Sequence, residues 1–342
     1  LNSLPEVIDL LHNLPKIDEI KKSQVELFDT ATLFNIQQIQ DNSLKFIANL
    51  HAINDFEKLN TFFLEIYKKL HSGGFYIGKV KTNKIVRNEI FSKYPKYVSH
   101  IVYLSHFIFK RAIPKLPLLK KVHKMLSDKK NRAISKAETL GRLCFCGFEI
   151  FDTTELDDFL YFIARKKKTP SINKNPSFGL LVKLPRVGRD GEIIEMYKFR
   201  TMYPYSEFIQ DYVYENGGGT VDGDGFKNDF RITGWGKVFR KYWIDELPML
   251  INLLRGDIKL VGVRPLSKHK FDLYDTHVQN RRIQYTPGLV PPFYVDTPNN
   301  LEELQKSEMK YFDRYDRFKI FTDISYFFQA WYNIIVNDAR SK

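Results

Sequence analysis

Apolar positions in the first half of the chain follow two rhythms. "VELFDT" (Val25–Thr30) and "LKFIANLHAI" (Leu44–Ile53) are short, nearly continuous apolar runs, which predict buried strands. "NDFEKLNTFFLEIYKKL" (Asn54–Leu70) changes to a helical period, with Phe56, Leu59, Phe63, Ile66 and Leu70 on one stripe. In "HSGGFYIGKVKT" a Gly-Gly pair predicts the helix stop, and a further strand follows. Strand, helix, strand is the βαβ pattern, so this half is expected to be α/β with a largely parallel sheet. "GFEIFDT" (Gly147–Thr153) and "DFLYFIARK" (Asp158–Lys166) read as a closing strand pair, with Cys144-Phe145-Cys146 in a buried strand beside them. The polar, basic stretch "RKKKTPSINKNPS" (Arg165–Ser177), with Pro170 and Pro176, reads as a joint between two halves.

Beyond the joint the rhythm becomes alternating. "LPRVG" and "GEIIEMYKFRTM" predict a hairpin turned by "GRDG" (Gly188–Gly191), since Asp-Gly favours a tight turn. Alternation aims Lys198 and Arg200 at one face and Tyr197 and Phe199 at the other. Two cations on a strand can clamp a diphosphate or form a solvated face. "ENGGGTVDGDGFKND" (Glu215–Asp229) is either a surface loop or a phosphate-cradling nest, and lacks the lysine and spacing of a P-loop. In "YWIDELPMLINLL" a helix is expected to start at Asp245, burying Met249, Leu250, Leu253 and Leu254.

Composition narrows the partners. The 342 residues suit about two domains. Fifty-three Lys+Arg against 40 Asp+Glu leave a formal charge of +13, which favours an anionic partner: nucleic acid, acidic lipid or a phosphorylated substrate. Two cysteines make no disulfide framework and fit a reducing compartment, and no His/Cys cluster has zinc spacing. The chain begins with Leu, so it reads as a fragment, with no signal peptide and no spanning helix. The window "YVSHIVYLSHFIFKRAIPKLPLL" (Tyr97–Leu119) is interrupted by charges and prolines, and reads as a core or interfacial helix.

The adjacent acids Asp245 and Glu246 carry the densest chemical signal. One reading makes them a helix cap and a first-turn acid. The other uses the helix start to keep a nucleophilic carboxylate ionised, and an adjacent carboxylate to hold Mg²⁺ with substrate phosphates. Arg240, Lys241, Lys198, Arg200 and Arg264 surround the pair in sequence with cations, as phosphoryl transfer through an aspartyl-phosphate-type intermediate would need.

Two family resemblances add to this. "LHAINDFEKLNTFFLEIYKKLHSGGFYIG", with "LGRLCFCGFEIFDT" and "LYFIARK", resembles the back half of a class I methyltransferase domain. No glycine precedes Gly73, so that family's Gly-rich cofactor loop is absent, either cut off upstream or lost from a degenerate domain, and methyl transfer is not carried over. The second half, with "GRDG", "YKFRTM", "FRITGWGKVFRK", "DELP" and "YTPGL" in order, resembles the bacterial sugar transferases, the monotopic polyprenyl-phosphate sugar-phosphate transferases. The resemblance implies that Asp245 is the nucleophile, Glu246 the metal partner with Asp245, and Lys198, Arg200 and Arg264 the phosphate-binding residues. It implies Mg²⁺, a nucleoside-diphosphate sugar (a UDP-sugar) and polyprenyl phosphate. Two motifs depart from the family: Gly-Pro-Arg-Pro reads Gly262-Val263-Arg264-Pro265, and "RPGITG" reads "YTPGLVPP" (Tyr285–Pro292).

The expected organisation is therefore a Rossmann-like parallel-sheet, methyltransferase-like domain over 1–166, a basic linker over 167–175 and an α/β phosphoglycosyl transferase core over 176–342. The expected activity is sugar-1-phosphate transfer that starts exopolysaccharide, capsule, O-antigen or glycoconjugate synthesis. The expected place is the cytoplasmic face of the bacterial inner membrane, peripheral or monotopic, on an anionic surface. Tyr97–Leu119 and "FTDISYFFQAWYNIIV" (Phe321–Val336) are the candidate membrane contacts. The rival function is a non-catalytic nucleotide-sugar-binding or scaffold protein. Nucleic acid is not expected as a partner, because no recognition motif accompanies the charge.

Overall fold

The computed structural model describes residues 22–107, 109, 132–171, 179–216 and 229–337. Two compact units emerge: 1–177 with 203–216, and 178–202 with 217–342.

The first unit is an α/β sheet domain. Strands β1 (Val25–Phe28), β2 (Leu44–Ala52) and β3 (Leu70–Val80) are parallel neighbours, and helix α1 (Leu59–Lys69) makes the crossover between β2 and β3. Helices α2 (Asn83–Lys93), α3 (Lys96–Phe107) and α4 (Lys136–Phe145) follow. Strands β4 (Phe148–Leu156) and β5 (Phe159–Lys166) then form a hairpin whose β5 lies antiparallel to β3, giving the order β1-β2-β3-β5-β4. One sheet face buries Phe46, Ala48, Ile77 and Ile163. All five residues of the predicted stripe are buried, with Leu59, Phe63 and Ile66 on α1, Phe56 before it and Leu70 opening β3, and Phe63 meets Tyr76 and Phe162 of the sheet.

Four local expectations change. The β1 run is an exposed edge rather than a buried strand, with Val25 and Leu27 open to solvent. Its apolar composition could not reveal that it pairs on one side only. Helix α1 ends at Lys69 without using the glycines. Gly73 and Gly74 lie inside β3 instead, where the pairing with β2 shifts register and Gly73 takes φ +77°. Cys144 lies at the end of α4, and Cys146 caps that helix rather than sitting in a strand.

The fourth change concerns residues 203–216, expected within the second half. They belong to the first unit, where helix α5 (Gln210–Asn216) closes the segment. The reason is a tight seat on α4. A Cβ at Gly141 would lie 2.2 Å from the Tyr205 carbonyl oxygen. The Arg142 guanidinium stacks over the Tyr205 ring at 4.4 Å. Asn60 donates to the Tyr205 hydroxyl and accepts from Arg142.

The second unit starts with the predicted hairpin, β6 (Leu181–Val187) antiparallel to β7 (Ile193–Phe199). Asp190 and Gly191 turn it with φ of +55° and +77°. Helices α6 (Gly234–Lys241) and α7 (Met249–Arg255) lead to a short parallel pair, β8 (Lys259–Val261) and β9 (Gly288–Val290), with α8 (Lys268–Asp272) and α9 (Thr276–Arg282) between them. A side chain on Gly288 would lie 2.1 Å from the Gly262 nitrogen, so the two backbones touch there. Helix α10 (Phe293–Asp296) precedes the long α11 (Leu301–Phe318) and α12 (Ile320–Val336). Val261, Val263, Tyr311, Phe312 and Tyr326 form the core beneath them.

Candidate active site

Asp245 and Glu246 do not open an α-helix. They lie in a single 3-10 turn, Ile244–Glu246, and α7 begins only at Met249 behind Pro248. Pro248 has no N–H to give the next turn, so it suits a helix entrance rather than an interior. The turn is forced by Trp243, a bulky residue held at φ +54°. Its indole N–H donates to the Tyr294 hydroxyl at 3.1 Å. Helix α7 buries Met249 against Met196 and Ile258. Leu250 and Leu254, expected in the core, are exposed instead, with Leu247 and Ile251 beside them.

Helix α7 is locked to β7 by a residue that the sequence reading missed. Asn252 is fully buried. Its carboxamide accepts from the Tyr197 N–H (2.9 Å) and donates to the Glu195 carbonyl (2.8 Å) and to Asp257 (2.8 Å). This fixes the strand that carries Lys198. An asparagine among "LINLL" is the only trace of the lock in the sequence.

Lys198 donates to Glu246 at 2.6 Å, and Arg264 lies 3.7 Å from the same carboxylate. These three side chains line a small pocket of about 60 Å³, together with Arg186 and Tyr294. Arg264 is positioned from behind, because Arg282 donates to its carbonyl at 2.6 Å. Arg282 is itself held by Glu308, and both are buried. Asp245 sits beside the cluster rather than on the pocket wall, within the field of Lys198 and Arg240. Arg200 is not brought to the pocket: β7 ends at Phe199, and the Arg200 guanidinium donates to the Gly179 carbonyl at 2.9 Å.

Burial pushes the Asp245 carboxyl above the usual aspartate range, with Lys198 and Arg240 pulling it back. The expectation of a carboxylate held ionised by a helix start is therefore corrected. It lies in the 3-10 turn rather than at the first residue of α7, and desolvation is the largest effect. Burial likewise lowers the Lys198 ammonium, with Glu246 opposing and Arg264 reinforcing the shift. Arg240 donates to the Thr201 hydroxyl at 2.9 Å and is lowered by burial.

Two adjacent carboxylates suit magnesium, which is usually held by one or two carboxylates plus substrate phosphates. They do not suit an all-protein cage. Among the described residues no group of three or more His, Cys, Asp or Glu converges. The stretch Glu215–Asp229 falls mostly on residues 217–228, outside the described residues, as do 172–177 of the joint and most of 108–119.

Residues 171–337 match the bacterial sugar transferase family. The chain is 37% identical over 145 residues to the galactosyl transferase CpsE of Streptococcus agalactiae, covering 41% of this chain and 31% of that one. It is 34% identical over 121 residues to the undecaprenyl-phosphate galactose phosphotransferase of Salmonella typhimurium, covering 34% of this chain and 25% of that protein. The chain thus spans less than two thirds of the length of these relatives. An S-adenosylmethionine-dependent methyltransferase from Mesorhizobium loti aligns at TM-score 0.25 and 13% identity, over 38% of this chain and 66% of that one, too weakly to bear on fold or function.

Both candidate membrane contacts expose apolar groups. On α3, Tyr97, Ile101 and Leu104 face solvent. On α12, Tyr326 and Ala330 are buried while Phe321, Phe328, Trp331 and Ile335 are exposed. Among the described residues no helix is long and apolar enough to cross a membrane.

Proposed function

We propose that the protein transfers a sugar phosphate from a nucleoside-diphosphate sugar, a UDP-sugar, to polyprenyl phosphate, through a phosphosugar carried on Asp245. The observation that supports this most is the Lys198–Glu246–Arg264 cluster beside a half-buried Asp245 of raised basicity. Relatives named as undecaprenyl-phosphate galactose and N-acetylgalactosamine phosphotransferases support the substrate classes.

An Asp245 carboxylate oxygen attacks the phosphorus that bears the sugar. The bond from that phosphorus to the bridging diphosphate oxygen breaks, and its electron pair leaves with the nucleoside monophosphate. An oxygen of polyprenyl phosphate then attacks the same phosphorus and releases the Asp245 carboxylate. A desolvated carboxylate is a stronger nucleophile than a hydrated one, which is what burial of Asp245 supplies. Lys198 and Arg264 sit where phosphate charge would gather, and Glu246 holds both in place between turnovers. Asp245 and Glu246 are the residues that would hold magnesium, whose contribution would be to neutralise phosphate charge.

The exposed aromatic face of α12 supports docking on an anionic leaflet, where the lipid substrate resides, and the cytoplasmic face is the side proposed. The test is release of nucleoside monophosphate from a panel of UDP-sugars with Mg²⁺ and polyprenyl phosphate. A folded protein that releases none would overturn the proposal in favour of a binding or scaffold role.

A further inference from the structure

The pocket at Glu246 is too small for more than a phosphoryl group, so the rest of any donor must lie elsewhere. One wall of it, Arg186, Arg264 and Pro265, is shared with a groove of about 1080 Å³. Three cations from separate parts of the chain line this groove: Arg186 of β6, Arg264 after β8, and Lys270 of α8. No carboxylate is among its described lining residues. Tyr274 also lines it, 5% exposed, and its hydroxyl is buried with no hydrogen-bond partner among the described residues. The Phe293 and Tyr294 rings complete the wall next to the pocket.

The electrostatics agree with the geometry. Burial lowers the Arg186 guanidinium, and Arg264 lowers it further. Burial lowers Lys270, and Arg186 adds to the effect. Arg264 thus destabilises the Arg186 cation and Arg186 that of Lys270, and an anion between them would relieve both.

We propose that this groove is the nucleotide arm of the donor site. Arg264 stands between the two phosphates, and Arg186 and Lys270 bind the one that leaves with the nucleoside. The groove then holds the nucleoside against Tyr274 and Phe293. This assignment rests on the sugar-phosphate transfer proposed above. Lys270 thereby becomes a specificity-determining residue that acts on donor affinity and on departure of the nucleoside monophosphate.

The experiment is calorimetric titration of the full chain with UDP, beside initial rates with a UDP-sugar and polyprenyl phosphate. Lys270→Met and Tyr274→Phe are compared with wild type, with thermal unfolding as the folding control. Lys270→Met should weaken UDP about tenfold and raise the donor KM similarly, leaving the KM for polyprenyl phosphate unchanged. Tyr274→Phe keeps the ring that lines the groove and should leave UDP binding unchanged. If Lys270→Met raises only the lipid KM, the groove takes the acceptor and the assignment is wrong. UMP release with unchanged UDP binding in Lys270→Met would also overturn it, while leaving the transfer reaction standing. UDP binding lost in Lys270→Met, with no UMP released by wild type, would retain the groove and remove the transfer reaction.

Discussion

Glu308→Gln probes the support behind Arg264. Arg282 and Glu308 are 5% and 3% exposed, and Arg282 also donates to the Arg264 carbonyl at 2.6 Å. Glutamine keeps the shape but removes the charge that compensates a buried guanidinium. Breaking a buried pair from one side costs about 3–5 kcal/mol, and the retained amide oxygen places this variant near the lower figure. At about 2–4 °C per kcal/mol, thermal unfolding of the second unit should fall by roughly 6–12 °C. The double variant Arg282→Met/Glu308→Leu removes both charges and should regain most of that loss. It cannot regain the bond to the Arg264 carbonyl, so its turnover should stay impaired. Scanning calorimetry and initial rates on the three proteins check this. A single variant within about 1 kcal/mol of wild type, or a double variant as unstable as the single, would refute the reasoning.

Other outcomes follow from particular contacts. Asn252→Ala removes three hydrogen bonds at a buried site and should cost about 1–3 kcal/mol while lowering kcat by displacing Lys198; urea denaturation and kinetics read the two effects. Gly288→Ala forces a methyl onto the Gly262 backbone and should cost at least about 1–3 kcal/mol, seen as lost soluble protein or a lower Tm. Burial pushes the Cys144 and Cys146 thiols up to about 12. Both should therefore resist iodoacetamide at pH 8 in the native protein and react once it is unfolded, as mass spectrometry would show. Replacing Phe321, Phe328 and Ile335 by serine should reduce co-sedimentation with anionic vesicles severalfold without altering UDP binding.

What the sequence disclosed was periodicity. The α1 stripe, the parallel β2 and β3, and the hairpin turned at Asp190-Gly191 follow from spacing alone. What it withheld depends on contacts made far along the chain. Val25–Phe28 is as apolar as a core strand, and only its place at the sheet edge exposes it. Residues 203–216 sit with the first unit because Gly141 admits Tyr205, a fit between positions that no local pattern marks. At the site, Lys198, Glu246 and Arg264 were legible as motif residues, and the structure brings them together. Arg200 looked equivalent to Lys198 by alternation, but the strand ends between them. Asn252 and Tyr274 carried no motif, since their roles come from burial and from what they meet there.

The most direct test is release of nucleoside monophosphate by wild type and Asp245→Asn, with UDP-sugars, Mg²⁺ and polyprenyl phosphate. The proposed chemistry predicts release by the wild type and none above background from Asp245→Asn shown by thermal unfolding to be folded. Equal release by both proteins would contradict a nucleophilic Asp245.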